Sequence, residues 1–431
     1  MWSIKFPLLV LIAIFLGGLA GGQAWAAESS TKILKYDKDG RVIGVIESES
    51  DGSDETGTEK KNSSKEATKP GVFNPEKSYE LGEVIVINPP KRFESGIRGM
   101  GYSVIETVRM TNLGLVVQRI RIPSKVSVPQ AIRQLRSRFP GVEIDANHQF
   151  DPSAAAAGVE FPGKVARSLV RWDNVPIDCG KGVRIGMIDA GVDVSHPALR
   201  GQKVTYRTFH KKGRKPGPKD HGTAVAAIMV GRAEWGGLLP GAELFAANMF
   251  EFNEKGRKVG NAIGLIKAAS WLLDEHVHVI NLSVAGADNK ILRKVFKKAL
   301  GKQQKMIAAG GNWGRSDKPA YPAAYKGVVA VTALNEKGLI YSKANTGSYI
   351  DFAAPGVRIY TAAPGGGGRL QSGTSFASPF IAAMMALDIK NGKGKSLRAL
   401  EKLLQKNIKD LGAPGRDDIF GWGFVRRKPQ C

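Results

Sequence analysis

Over residues 182–407, short, largely apolar runs alternate with longer segments of helical periodicity, and this pattern limits the fold more than any other feature. Val183–Ile188 is the first such run; Ala242–Met249, Val277–Leu282, Met306–Ala309 and Val328–Ala333 follow. Helices are expected between them at His221–Val230, Asn261–Asp274 and Ile291–Leu300, with Thr374–Leu387 and Ser396–Asn407 closing the chain. Apolar runs without alternation are strands buried on both faces. Repeated strand and helix over so long a span predict an α/β fold with a doubly wound, mainly parallel sheet. Functional sites in such sheets lie beyond the carboxyl ends of the strands.

The segments before residue 171 read differently. Lys5, the apolar stretch Phe6–Ala20 and Ala24-Trp25-Ala26 make residues 1–26 an expected signal peptide. The apolar stretch is short of the roughly 20 residues that a spanning helix needs. Residues 27–80 are an expected linker, polar and free of aromatics over Ser48–Pro70, with a short hairpin at Ile33–Ile46 around Asp39-Gly40. Residues 81–150 carry strand, helix, two strands, helix and strand signals in turn, which predicts a small ferredoxin-like βαββαβ domain. Residues 151–170, with four consecutive alanines from Ala154, form a second linker, and 171–431 the main domain.

Charge is distributed unevenly. Of the net +24, a net of +23 falls after residue 160. A strongly basic surface suggests an anionic partner. No basic motif interleaved with aromatics supports a nucleic-acid partner, and none is expected. A dense part of the charge, Lys211, Lys212, Arg214, Lys215 and Lys219, precedes His221 and reads as a solvated loop. The sharper reading is a positive rim that steers acidic substrates or an anionic envelope surface. The two cysteines exclude a disulfide scaffold and zinc sites built on cysteine pairs.

Three residues occupy positions where chemistry forms. Asp189 ends a buried strand in RIGMIDAGVD, His221 opens a helix in DHGTAVAAIMVG, and Ser375 starts one in SGTSFASP. A helix start offers free backbone N–H groups to a developing negative charge. Turn or cap roles explain the same residues equally well. Spacing alone does not select His221 from six histidines, nor Ser375 from Ser372 and Ser378.

The motifs IDAGVD, HGTAVA and GTSFASP, in that order over residues 182–425, resemble those of subtilisin-type serine proteases, the subtilases. AAGGNWG resembles the family's oxyanion-asparagine motif and NLSVAG its substrate-cleft strand. The resemblance implies a subtilisin-like fold and a serine endopeptidase acting through an acyl-enzyme. Asp189, His221 and Ser375 would form its triad, with Asn312 in the oxyanion hole. Ser283, Val284, Ala285, Gly286, Ala309 and Gly310 would line the cleft, and small apolar walls favour an apolar P1 side chain. Ala190, Ala224, Ala285, Phe376 and Phe380 depart from the usual pattern. Ala190 lacks a hydroxyl that would support the Asp189 carboxylate.

The resemblance further implies that residues 81–150 are a propeptide that blocks the cleft through His148-Gln149-Phe150, with self-cleavage within about 150–165. The expected partners are protein or peptide substrates, the chain's own propeptide and an anionic envelope surface. The expected location is periplasmic or extracellular. No cofactor or metal is required by the chemistry; relatives hold structural calcium, but no ligands for it are identifiable. Export favours oxidation of Cys179 and Cys431 to a bridge across the catalytic domain, with two free thiols or an intermolecular link as the alternatives. A catalytically silent binding or envelope-scaffold protein on the same fold is the alternative to an enzyme.

Overall fold

The computed structural model describes residues 32–36, 42–47, 78–151, 155–157 and 164–431. The expected signal peptide and most of the first linker lie outside these residues. Two short strands, β1 (Lys32–Tyr36) and β2 (Val42–Glu47), pair antiparallel with Ile33 opposite Ile46.

The N-terminal module runs β3 (Tyr79–Ile87), α1 (Phe93–Arg98), β4 (Ser103–Met110), β5 (Leu115–Arg121), α2 (Val128–Arg138) and β6 (Glu143–Asp151). Its strands lie in the order β6-β3-β5-β4, antiparallel throughout. A capping box starts α2: Gln130 N donates to Ser127 Oγ, and Ser127 N donates to Gln130 Oε1. Val84 and Val86 join Ile97, Ile120 and Leu135 in the module's own core. Ile85, Ile87, Leu115 and Val117, on the opposite face, pack into a cluster that contains Ile291, Val295 and Phe296 of the main domain. Burial on both faces is why GEVIVI is apolar without alternation. Each such side chain contributes about 1.5–3 kcal/mol relative to an exposed one, so the module sits firmly on the main domain.

After β7 (Ala155–Ala157) and α3 (Lys164–Leu169), the main domain begins with β8 (Arg184–Asp189), β9 (Lys203–Thr208), α4 (Asp220–Val230) and β10 (Glu243–Asn248). The hairpin β11 (Phe250–Phe252) and β12 (Lys258–Asn261) leads into α5 (Ala262–Asp274), β13 (Val279–Leu282), β14 (Ala285–Gly286), α6 (Lys290–Gly301), β15 (Lys305–Ala309) and β16 (Val329–Leu334). The chain continues through β17 (Phe352–Pro355), β18 (Ile359–Ala362), β19 (Gly368–Ser372), α7 (Thr374–Lys390), α8 (Leu397–Gln405), β20 (Ile408–Lys409) and β21 (Phe424–Val425).

The central sheet has nine strands in the order β20-β21-β17-β16-β15-β13-β8-β10-β9. It is mixed: the pairings from β21 to β9 are parallel, and β20 runs antiparallel to β21. One apolar cluster holds α4 and α7 with Ile185, Met187 and Val331; the other holds α5 and α6 with Ile188, Ile280 and Ala330. Alternate residues of each strand thus face opposite layers. Helix α7 is buried from Thr374 to Asp388, which explains its apolar character all round.

The strands that the sequence pattern passes over are polar or short. In β9 no residue is fully buried, as befits an edge strand. The hairpin β18–β19 pairs Ala362 with Gly368, so most of the glycine run 365–368 lies in its turn. Strand β6 runs on to Asp151 because its second half pairs with the main domain.

Candidate active site

Strand β8 delivers Asp189 to the carboxyl edge of the sheet, and α4 begins just below it. Gly222 makes this approach feasible, because a Cβ there would lie 2.4 Å from the Ala190 carbonyl oxygen and 2.5 Å from that of Gly191. Thr223 secures the contact: its hydroxyl donates to Lys219 O (2.6 Å) and accepts from Asp193 N (2.8 Å). His221 Nδ1 then lies 2.6 Å from Asp189 Oδ1, with both side chains buried. The same carboxylate oxygen accepts from Ala190 N at 2.5 Å, while Oδ2 has no hydrogen-bond partner. Alanine at 190 is the cause within reach, since a hydroxyl there could have supplied one.

His221 is the histidine that bonds this carboxylate. Of the others, His148 lies against the module interface, His196 binds Gly367 O, and His278 Nδ1 accepts from Arg184 N. His221 Nε2 makes no hydrogen bond, and its ring packs on Phe376 with centroids 5.2 Å apart.

Ser375 is fully buried in the first turn of α7, whose N-cap is Gly373. Its carbonyl accepts from the Ser283 hydroxyl at 3.0 Å, and Asn281 Nδ2 donates to that hydroxyl at 2.9 Å. Ser372 Oγ accepts from Arg358 N, and Ser378 Oγ lies 3.4 Å from Ser283 Oγ, so both have structural partners. Asn312 Oδ1 accepts from Thr374 N and Thr374 Oγ1, each at 3.0 Å. This identifies the oxygen end of the amide and leaves the amino end as a donor beside the start of α7.

Of the residues expected to line a cleft, Ser283-Val284-Ala285-Gly286 continue from β13, and Ala309-Gly310 lie at the end of β15. Tyr349, which sequence reasoning missed, ties one wall to the next: its hydroxyl donates to Gly310 O (2.6 Å) and accepts from Ala320 N (3.5 Å). Burial pushes its pKa up to about 12, so it acts here as a neutral hydroxyl. No local sequence signal points to a tyrosine so far along the chain.

Strand β6 enters this cleft between two walls. Phe150 pairs with Gly260 on one side and Gly286 on the other; Gln149 faces Asn261 and Asp151 faces Ala285. Gly286 is required, because a Cβ there would lie 2.4 Å from the Phe150 ring. Burial raises the pKa of Asp151, against the opposing charges of Lys258, His221 and Arg257. In β19, the strand that leads to Ser375, Ser372 pairs with Ala155 and Leu370 with Ala157.

The basic loop before His221 is not simply solvated. Lys211 Nζ lies 2.7 Å from Glu80 and 2.8 Å from Glu83; Arg214 bonds Glu80 (3.0 Å) and Glu251 (3.1 Å). Two of the five charges read as a rim are therefore engaged by the N-terminal module. Burial alone would raise the Glu80 carboxyl, but Lys211, the Gln149 amide and Arg214 hold it below its ordinary value. Glu80→Gln is expected to lower the stability of the uncut chain by about 2 kcal/mol: Lys211 keeps Glu83 and Arg214 keeps Glu251, but each loses its charge-assisted bond to Glu80. A melting temperature equal to the parent's would contradict this.

Among the described residues no three His, Cys, Asp or Glu side chains are placed to hold a metal ion. Cys179 and Cys431 form a disulfide across a sequence separation of 252, with Cα atoms 4.9 Å apart.

Residues 180–423 match the subtilase family. The chain is 33% identical over 260 residues to the minor extracellular protease Epr of Bacillus subtilis (strain 168), a match covering 58% of this chain and 39% of Epr. It is 31% identical over 215 residues to subtilisin E of the same organism, covering 48% of this chain and 55% of that one. The crystal structure of fervidolysin from Fervidobacterium pennivorans, a keratinolytic enzyme related to subtilisin, superposes with a TM-score of 0.67 at 20% identity. That superposition covers 82% of this chain and 61% of fervidolysin, and it shows a shared subtilisin-like fold. The chain thus spans from 39% to 55% of the length of the two sequence relatives. With more than half of its residues inside the family match, the chain belongs to the subtilase family.

Proposed function

We propose that the chain is an exported serine endopeptidase made as a self-cleaving precursor. Ser375 Oγ attacks the substrate carbonyl, and His221 takes its proton at Nε2 and returns it to the leaving amine. Asp189, bonded to Nδ1, orients the ring and stabilises the imidazolium. The amino group of Asn312 and the Ser375 backbone N–H receive the oxyanion. The proposed steps use these groups alone and call on no cofactor. Protein or peptide chains are the substrates, and the small residues Ala309 and Gly310 favour an apolar P1 side chain.

The observation that carries this reading is the path of the chain across Ser375. Asp151 is paired with Ala285 before it, and Ala155 with Ser372 after it. A segment paired to both sides of a nucleophile is held as a substrate is held. The ferredoxin-like module of residues 79–151 is then the propeptide, and its last strand fills the cleft. The 82% coverage of the fervidolysin likeness, wider than residues 180–423, is consistent with this. The bridge between Cys179 and Cys431 suits the oxidising location that export provides.

Self-cleavage is expected at one of the four peptide bonds joining Asp151 to Ala155. N-terminal sequencing of the mature protein should begin at Pro152, Ser153, Ala154 or Ala155. A mature chain beginning elsewhere would refute the processing scheme. Failure of the wild type to take up a serine-directed covalent probe, when a control protease does, would leave a binding protein on a subtilase fold.

A further inference from the structure

Much of the positive charge lies away from the cleft, at the edge of the sheet formed by β20 and β21. Five strand steps separate β21 from β8, which at about 4.8 Å each places this edge about 24 Å from Asp189. Two cavities open there. One, of about 420 Å³, is lined by Arg171, Lys406, Asn407, Ile408, Lys409 and Arg426. Its neighbour, of about 580 Å³, shares Arg171 and Asn407 and adds Lys393, Arg427, Lys428 and Gln430. Neither is lined by a carboxylate. Arg427 is paired with Asp388 at 2.8 Å, but Arg171, Lys406, Lys409, Arg426 and Lys428 have no carboxylate partner among the described residues.

Arg171 joins the two cavities, and its backbone is unusual. It stands at φ +67°, the left-handed region. The bonds Arg171 N to Ser168 O and Trp172 N to Arg167 O close helix α3 in the pattern that normally ends on glycine. A long cationic side chain has been placed where glycine would be less strained, at the wall common to both cavities. Strain of this kind persists where the side chain has a use.

We propose that these cavities form an anion-binding groove, distinct from the catalytic cleft, for a linear polymer that carries phosphate groups on successive units and lacks bases. Cations reach the groove from four separate segments, at residues 171, 393, 406–409 and 426–428. Such an arrangement suits a tetrahedral oxyanion better than a planar carboxylate. Two adjoining cavities with a shared arginine suit two successive charges on one chain. No aromatic ring lines either cavity, so the stacking on which single-stranded nucleic acid relies is missing.

The test is binding of end-labelled inorganic polyphosphate to the full chain, followed by fluorescence anisotropy at low and high salt. Arg171→Gly is expected to weaken binding about tenfold or more, the loss of charge-assisted contacts, while the melting temperature stays level or rises. Lys337→Ala, which removes an exposed lysine elsewhere, is expected to leave binding unchanged. The double variant Lys406→Gln/Arg426→Gln should repeat the loss without touching the backbone strain. Unaltered binding by Arg171→Gly and the double variant would overturn the proposal. So would an equal loss in Lys337→Ala, which would mean a diffuse charge effect. Affinity for single-stranded DNA or polyglutamate matching that for polyphosphate would overturn the assignment of ligand class.

Discussion

Ser375→Ala is expected to abolish peptide cleavage and leave the link between Asp151 and Ala155 intact, with the fold unchanged. The loss in turnover should be on the order of 10⁶, the size found when the serine of a subtilisin is removed. Helix α7 is buried from Thr374 to Asp388, so loss of one hydroxyl is expected to remove the nucleophile and leave the packing of the helix in place. Intact mass of the secreted protein reads the uncut link, and turnover of a peptide library reads the chemistry. Residual turnover within tenfold of the parent would mean that another group attacks. The nearest alternatives, Ser372 and Ser378, already have structural partners, so no substitute nucleophile is in place. The unpartnered Asp189 Oδ2 bears on the same chemistry: the carboxylate holds His221 through one oxygen only.

What could be read from the sequence was local. An unbroken apolar strand ending in Asp189 fixes a carboxylate at the edge of a buried sheet, because strand burial and strand ends both leave signals in composition. The apolar run of α7 and the position of Ser375 before it are legible for the same reason. Selection of His221 from six histidines needed either the family motif or the 2.6 Å bond to Asp189. The second half of β6 had no local signal. Its pairing partners, residues 260–261 and 285–286, lie more than a hundred positions later, and only their approach makes the segment a strand. The loop at 211–219 looked solvated because its counter-charges, Glu80 and Glu83, belong to another module. Charge runs reveal where cations are and not what they meet. Arg171 was equally silent, since a positive φ at a non-glycine residue leaves no mark in the sequence.

Cys431→Ser is expected to cost about 5 kcal/mol of stability. The chain-entropy model gives this value for a loop closed over 252 residues, and it corresponds to a fall in melting temperature of about 10–20 °C for a domain of this size. Cys431 is the better site for the test than Cys179. It is exposed, so serine there removes the cross-link without placing a hydroxyl in the core, whereas Cys179 is 1% exposed. Calorimetry in a Ser375→Ala background avoids self-digestion. Reductant should bring the parent down to the level of the variant and leave the variant unmoved. Equal melting temperatures for the two would show that the tail is held without the bridge. Its other anchors include Arg426 N to Asn407 O, Arg427 N to Val170 O, the Arg426 guanidinium to Leu169 O, the Arg427 guanidinium to Met384 O and to Asp388, and Asn391 Nδ2 to Gln430 O. Beyond Arg427, Gln430 holds the tail besides the disulfide: its main-chain carbonyl accepts from Asn391 Nδ2 and its side-chain Oε1 from Lys393 Nζ. Lys428 and Gln430 line the second basic cavity. The bridge thus fixes one wall of the proposed anion groove as well as closing the domain, and Cys431→Ser should weaken polyphosphate binding while the catalytic residues stay in place.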